Sequence, residues 1–438
     1  MLDLPATFQR SGVVPTCCVL IFVCVLSALC SLHMANVISK VPGNADFSRT
    51  VEYSDAFRIF WGQRAYIVTH VAFFLCITCL NISSIVDTAQ IIDQIIAHVF
   101  GHTSAYRLSL SGKNKVKYWS QADCGNHRIA AGECIPFHHQ KDDQLLISLG
   151  YVATVVLFLP LALMDLKENV FMQIVGFVVL LAISLQFIVS FCLQGLSFEN
   201  LSVWGDDYTD LFGVILFNFA VLLAVPAWLA EKDPRVDVAT VINGSSLLSV
   251  ILYIVIGVLG ALAIPQVAEN FLASMVGGTF GLATRIGAEI FALFIIGLGI
   301  PLFSVLARLN LTGSGLCSIL GGDLLAVGMP FGVSWIFYKG TFGTVLLSWG
   351  GTLFTSLIVF IFPLFLAYHT LDRTGLEGSI RIYGSYFQSR SSQLKALIIL
   401  IVLSVISVLL AFAGEIIELI SSGIETDDDD LLHLGIPG

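Results

Sequence analysis

Apolar residues recur along this chain in blocks too long and too uniform for the faces of a soluble fold. Ten such blocks run over about residues 12–38, 65–98, 143–164, 169–195, 208–230, 238–264, 284–308, 320–337, 342–370 and 394–422. A helix rises about 1.5 Å per residue, so roughly 17–25 mostly apolar residues cross a hydrocarbon core about 30 Å thick. Each block meets that length. None shows the short alternating pattern of a membrane barrel strand, and lipid leaves the helix as the way to pair backbone groups within one segment. The pattern predicts an all-α polytopic membrane protein with one transmembrane domain over residues 1–438. Its polar stretches are a long loop at 99–142 and an acidic tail at 423–438.

Composition agrees. The chain is 56% hydrophobic and 12% charged, about half the charged fraction of a soluble domain, which excludes a soluble reading. Its net charge of −10 gives nucleic acid no footing, and Asp427–Asp430 supply part of it. The first block is too long for the apolar core of a cleavable signal peptide. Lys and Arg set the orientation. Placing 39–64 in the cytoplasm puts twelve basic residues on that side, against three in the short loops opposite. The long loop and both termini are then non-cytoplasmic.

Candidate chemistry is sparse. The fifth block carries Asn218 near its centre, followed by Phe219 and Ala220, and Pro226 about a turn and a half beyond these. Proline removes a backbone donor and obstructs a carbonyl one turn back. Two readings follow. Either carbonyls near Asn218, Phe219 and Ala220 open onto a solute, or the proline makes a plain kink with Asn218 bonded to a neighbouring helix. The second block carries Asn81, Ser84 and Thr88 at three- and four-residue spacing with Asp87 beside them. That stripe lines a pathway or glues helices, and Asp87 is the acid placed to carry a proton. In the seventh block, Ser304 follows a pliable Gly297, Gly299, Pro301 stretch.

The long loop holds Cys124, His127, Cys134, His138 and His139. The spacing suits zinc, but an oxidising exterior makes a Cys124–Cys134 disulfide the simpler expectation. Asn200, in Asn200-Leu201-Ser202, is the sequon on the side where glycosylation occurs. No nucleophile–base set, paired-carboxylate site or phosphate-cradling loop argues for an enzyme, and no cofactor is expected.

Longer stretches carry a resemblance. Val41-Pro42-Gly43-Asn44 is followed by Phe47, Arg49, Glu52-Tyr53, Gly62 and Tyr66. Leu211 to Arg235 reads LFGVILFNFAVLLAVPAWLAEKDPR, a later helix ends in Gly257-Val258-Leu259-Gly260-Ala261, and Gly297 to Leu311 reads GLGIPLFSVLARLNL. Together these resemble the amino acid/auxin permease family, its fungal and protist members most closely. The resemblance implies an inverted-repeat (5+5) amino acid–polyamine–organocation fold with ten full helices plus a partial first helix. The first block then corresponds to the family's second helix and the fifth to its sixth. Residues 1–11 match the part of the family's first helix after its break, with Asp3 departing from the small or apolar residue expected, so a truncated start is the expectation.

The implied function is secondary active transport of an amino acid, neutral ones favoured, by alternating access. Leu4 and Pro5 would face Asn218, Phe219 and Ala220, with Asn81 and Ser84 as walls. Asp87 and Ser304 are the ion-coupling candidates. H+ stands ahead of Na+, because the family's first helix would supply a sodium ion's other carbonyls. A receptor that senses amino acids without flux, or a non-functional fragment, are the alternatives. The implied membrane is the plasma membrane or a vacuolar or lysosomal one.

Overall fold

The computed structural model describes residues 3–100, 103–109, 116–119, 144–265, 267, 271, 275, 280–313, 315, 317–338, 350–374, 380, 382 and 389–433. Among the described residues, nine helices are long and apolar enough to cross a membrane. The chain is a multi-pass membrane protein.

Among the described residues the membrane-length helices fall where the apolar blocks lie, and the third block is the exception. In the third block, Gln144–Ser148 form a strand, leaving a helix of only 14 residues at Leu149–Ala162. Fourteen residues reach about 21 Å, short of a bilayer core of about 30 Å. Ser148 marks the change by accepting the Tyr151 N–H as an N-cap. The strand belongs to a small antiparallel sheet, so the fold is helical with one β element rather than purely α. Strands β1 (Ala105–Ser109), β2 (Val116–Trp119) and β3 (Gln144–Ser148) lie in the order β2-β1-β3, with Ala105 opposite both Trp119 and Ser148. The acidic tail also differs. The last helix runs from Arg390 to His433, and with no proline before Pro437 to stop it, an established helix propagates through the aspartates.

The chain forms two compact units, each built from separated segments. The first comprises Met1–Val51, Gly195–Phe271 and Thr355–Gly438; the second comprises Glu52–Gln194 and Leu272–Phe354.

In the first unit, helix α1 (Leu4–Ser11) turns at Gly12 (φ 83°) into α2 (Val13–Ser39). The short α1 buries Leu4, Ala6 and Phe8. The middle segment supplies α7 (Leu211–Asn218), α8 (Val225–Glu231) and α9 (Val238–Ala263). Two glycines on α9 seat α1: a Cβ on Gly257 would meet the Phe8 ring at 2.4 Å, and one on Gly260 would meet Pro5 at 3.1 Å. Small residues let helices approach this closely without an apolar driving force from lipid. Gln9 then closes the far end of α9, donating to the carbonyls of Ala261 (2.9 Å) and Ile264 (2.7 Å). These are terminal carbonyls a helix cannot pair internally. Its oxygen accepts the Val267 N–H at 3.0 Å. Beyond α1, Gly205 donates its N–H to Ser11 (3.0 Å), and Arg10 pairs with Asp210 at 2.7 Å.

In the second unit, α3 (Tyr53–Trp61) leads into the long α4 (Gln63–Phe100), followed after the sheet by α5 (Leu149–Ala162) and α6 (Leu166–Gln194). Its later segment holds α10 (Leu282–Phe291), α11 (Gly299–Gly313), α12 (Ile319–Asp323) and α13 (Met329–Phe337). Its core joins Ile85, Val86 and Ala89 of α4 to Trp119, Phe158, Ile300 and Phe331. Arg308 clamps this unit. It donates to the carbonyls of Leu163 (3.0 Å) and Met164, where α5 ends, and pairs with Asp323 at 3.2 Å.

The seat of α1 yields a testable contrast between two glycines. A Cβ at Gly205 would stand 1.9 Å from the Arg10 carbonyl oxygen, whereas one at Gly244 meets nothing within 4 Å. Gly205→Ala is expected to cost roughly 1–3 kcal/mol by overpacking. Gly244→Ala, inside a helix, is expected to be neutral or to stabilise by up to about 1 kcal/mol. Thermal denaturation of the detergent-solubilised chain compares them.

Candidate functional site

The fifth apolar block is a broken helix. Helix α7 stops at Asn218, Phe219 and Ala220 leave helical geometry, a 3-10 turn spans Val221–Ala224, and α8 resumes at Val225. Pro226 sits in the first turn of α8. There its missing N–H costs nothing, so it starts the second half-helix rather than kinking a continuous one. Both earlier readings missed that detail, though the interruption itself falls at the Asn218–Ala220 stretch they singled out.

Each carbonyl at the break has a donor within the first unit. Asn218 O accepts the Tyr253 hydroxyl at 3.2 Å, Phe219 O accepts the Ser27 hydroxyl at 2.7 Å, and Ala220 O accepts the Leu223 N–H at 3.2 Å. The Asn218 amide donates back to Val214 O at 2.7 Å, inside its own helix. Phe219 is fully buried, with its ring edge-on to Tyr253 at 5.4 Å. Two of the three donors are hydroxyls, which rotate and can accept as well as donate. The break is therefore closed by two side-chain hydroxyls and one main-chain N–H. Leu4 and Pro5 belong to the same unit, where α1 touches both α7 and α9.

The polar stripe on α4 lies in the second unit. Asn81 donates to Ser304 Oγ at 3.0 Å, and both residues are buried. Asn81 Oδ1 is left without a hydrogen-bond partner among the described residues. Ser84 stands 3.4 Å from where a Gly299 Cβ would be. The structure thus joins a wall candidate to an ion-coupling candidate. Asp87 is half-buried and accepts the Ser83 hydroxyl at 3.3 Å.

The acid the sequence undervalued is Asp93. From the pattern alone it looks like an interfacial residue; in the structure it is fully buried. One oxygen accepts the Thr103 hydroxyl (2.8 Å) and the Gly150 N–H (2.9 Å), and the other accepts the Tyr338 hydroxyl. Ser148 in turn donates to Tyr338 at 2.9 Å. Gly150 lies in the first turn of α5, so a carboxylate here faces the positive end of a helix. This knot ties α4 to the sheet, α5 and the end of α13. Its partners lie 10, 57 and 245 residues away, a separation no local pattern reveals.

Asn200 donates its Nδ2 to Leu262 O at 3.1 Å, so the atom that would carry a glycan is already engaged. Cys124 and Cys134 lie outside the described residues, as do His127, His138 and His139. Among the described residues no three His, Cys, Asp or Glu side chains converge as metal ligands. No family model matches the chain, and no curated protein matches it.

The Asp93 knot is expected to hold the second unit together. Asp93→Ala strips the acceptor from three buried donors and is expected to cost about 3 kcal/mol or more, since each orphaned group costs roughly 1–3. Asp93→Asn keeps one acceptor oxygen for Thr103 and Gly150 and is expected to lose clearly less. Equal losses in thermal stability would assign the role to charge alone.

Proposed function

We propose that this chain is a secondary active transporter of amino acids, neutral ones first, working by alternating access and coupled to an ion, H+ ahead of Na+. The observation that carries the reading is the interrupted helix at Phe219–Ala220 in a multi-pass membrane protein. Backbone that leaves helical geometry at membrane depth is tolerated where it is buried in protein or lines a cavity, and transporters use such breaks to hold solutes. A substrate ammonium would replace the Ser27 and Tyr253 hydroxyls at two carbonyls.

Two further features support the family reading. The stretches at 41–66, 211–235 and 297–311 resemble the amino acid/auxin permeases, and the interleaving of the two units fits a chain of two five-helix repeats. The short, buried α1 fits the second half of a broken first helix. Coupling rests on the α4 stripe: Asp87 is the proton candidate, while Ser304 and the open oxygen of Asn81 are what a sodium ion would use. The cellular address that fits is the plasma membrane or a vacuolar or lysosomal membrane.

The test is uptake of radiolabelled neutral amino acids by the purified chain in liposomes. Accumulation driven by an imposed pH or sodium gradient is expected. Saturable binding with no accumulation under either gradient would replace the transporter with a receptor. Ser27→Ala, which removes the hydroxyl a substrate must displace from Phe219 O, is expected to lower the KM for uptake about tenfold, the effect of some 1.4 kcal/mol.

A further inference from the structure

The strongest unassigned feature lies where α3, the start of α4 and the end of α11 meet in the second unit. Glu52, Asp55, Tyr66 and His70 are each no more than 8% exposed. The Glu52 side chain packs against Gly313, the last residue of α11, where a Cβ would meet its Cγ at 3.3 Å. It is the N-cap residue of α3, yet its side chain caps nothing. Among the described residues no hydrogen bond or ion pair reaches its carboxyl group.

The surrounding groups explain what that carboxyl group meets. From α3, Asp55 acts on it with a like charge. The nearby cation, Arg58, is committed elsewhere: it contacts Asp55 Oδ1 at 2.9 Å and lies 5.3 Å from the centre of the Tyr66 ring. From α4, the Tyr66 and His70 rings lie 5.4 Å apart, tilted by 36°, and neither the Tyr66 hydroxyl nor either His70 ring nitrogen has a hydrogen-bond partner among the described residues. Asp55 is also within electrostatic reach of His70. From α11 come the neutral Asn310, bonded to Ser54 at 3.2 Å, and Gly313; Arg308 is turned to Leu163, Met164 and Asp323. A buried carboxylate facing another carboxylate, with no cation of its own, is unstable as an anion.

We propose that this corner is a proton-binding site, with Glu52 as the carrier, and that α3 stays docked on α11 while Glu52 is neutral. A proton fits because no metal-ligand set converges among the described residues and the groups at hand are all proton donors or acceptors. Burial first, and the Asp55 charge second, push the Glu52 carboxyl up to about 7. An acid whose folded value is raised binds its proton more tightly when folded. Stability is then highest in acid, falls as pH rises above the free-glutamate range, and has lost the whole contribution once pH passes the folded value. Rising pH drives charge into the corner and loosens α3. The site is independent of the transport reading: a chain that moves no solute still titrates here.

The full chain in detergent is followed by tryptophan fluorescence during heating, from about pH 5 to about pH 9. Wild type is expected to lose at least about 3 °C of midpoint, most steeply between the free-glutamate range and about pH 7 and levelling off above it, while Glu52→Gln, which mimics the neutral acid, stays flat across that interval. Asp55→Asn is expected to move the wild-type transition to lower pH. Should Glu52→Gln fail to fold, the carbonyl stretch of a protonated carboxyl in wild-type infrared difference spectra serves instead; it must vanish between the same limits. Identical pH profiles for wild type and Glu52→Gln, or no carboxyl band titrating in that interval, overturn the proposal.

Discussion

A polypeptide in lipid must pair each of its backbone polar groups within protein, because the hydrocarbon offers none. Most of this chain meets that demand by remaining helical. At Phe219–Ala220 it cannot, and the fold answers with Ser27 from α2 and Tyr253 from α9, whose hydroxyls reach the exposed carbonyls. The helices on either side are placed accordingly, since α2 and α9 must each present a hydroxyl at one depth. The buried ring of Phe219 lies edge-on to Tyr253 beside the break.

The second unit holds two acids in opposite circumstances. Asp93 is surrounded by donors and the start of a helix, so its charge is solvated by the protein itself. Glu52 meets a like charge and close packing at Gly313, with no hydrogen bond or ion pair to its carboxyl among the described residues. Both are buried, and burial alone distinguishes nothing. The one acts as a fastener and the other as a titrating group because of what lies opposite each oxygen.

Local pattern made some of this legible. The block lengths placed the spans, and a polar residue mid-block with a proline behind it located the break at Asn218–Ala220. The short helix α1, which the structure buries against Gly257 and Gly260, lies outside the apolar blocks. What pattern missed was set by distant pairing. Gln144–Ser148 reads as the head of an apolar block, yet β1, some forty residues upstream, captures it as a strand. Asp93 and Asp87 look alike along α4; only Gly150 and Tyr338, far away in sequence, separate them. Ser27 and Tyr253 sit on apolar helices with no signal that their hydroxyls close a gap elsewhere, because a single Ser or Tyr in a span is as common as helix glue.

The way α1 is fastened has a mechanical consequence. Its C-terminal end is fastened three ways: to the tip of α9 by Gln9, to the 202–207 segment by main-chain bonds, and to Asp210 at the root of α7 by Arg10. The 202–207 segment, α1, the tip of α9 and the root of α7 are thus tied at one place, nine residues along the chain from the interruption at Phe219.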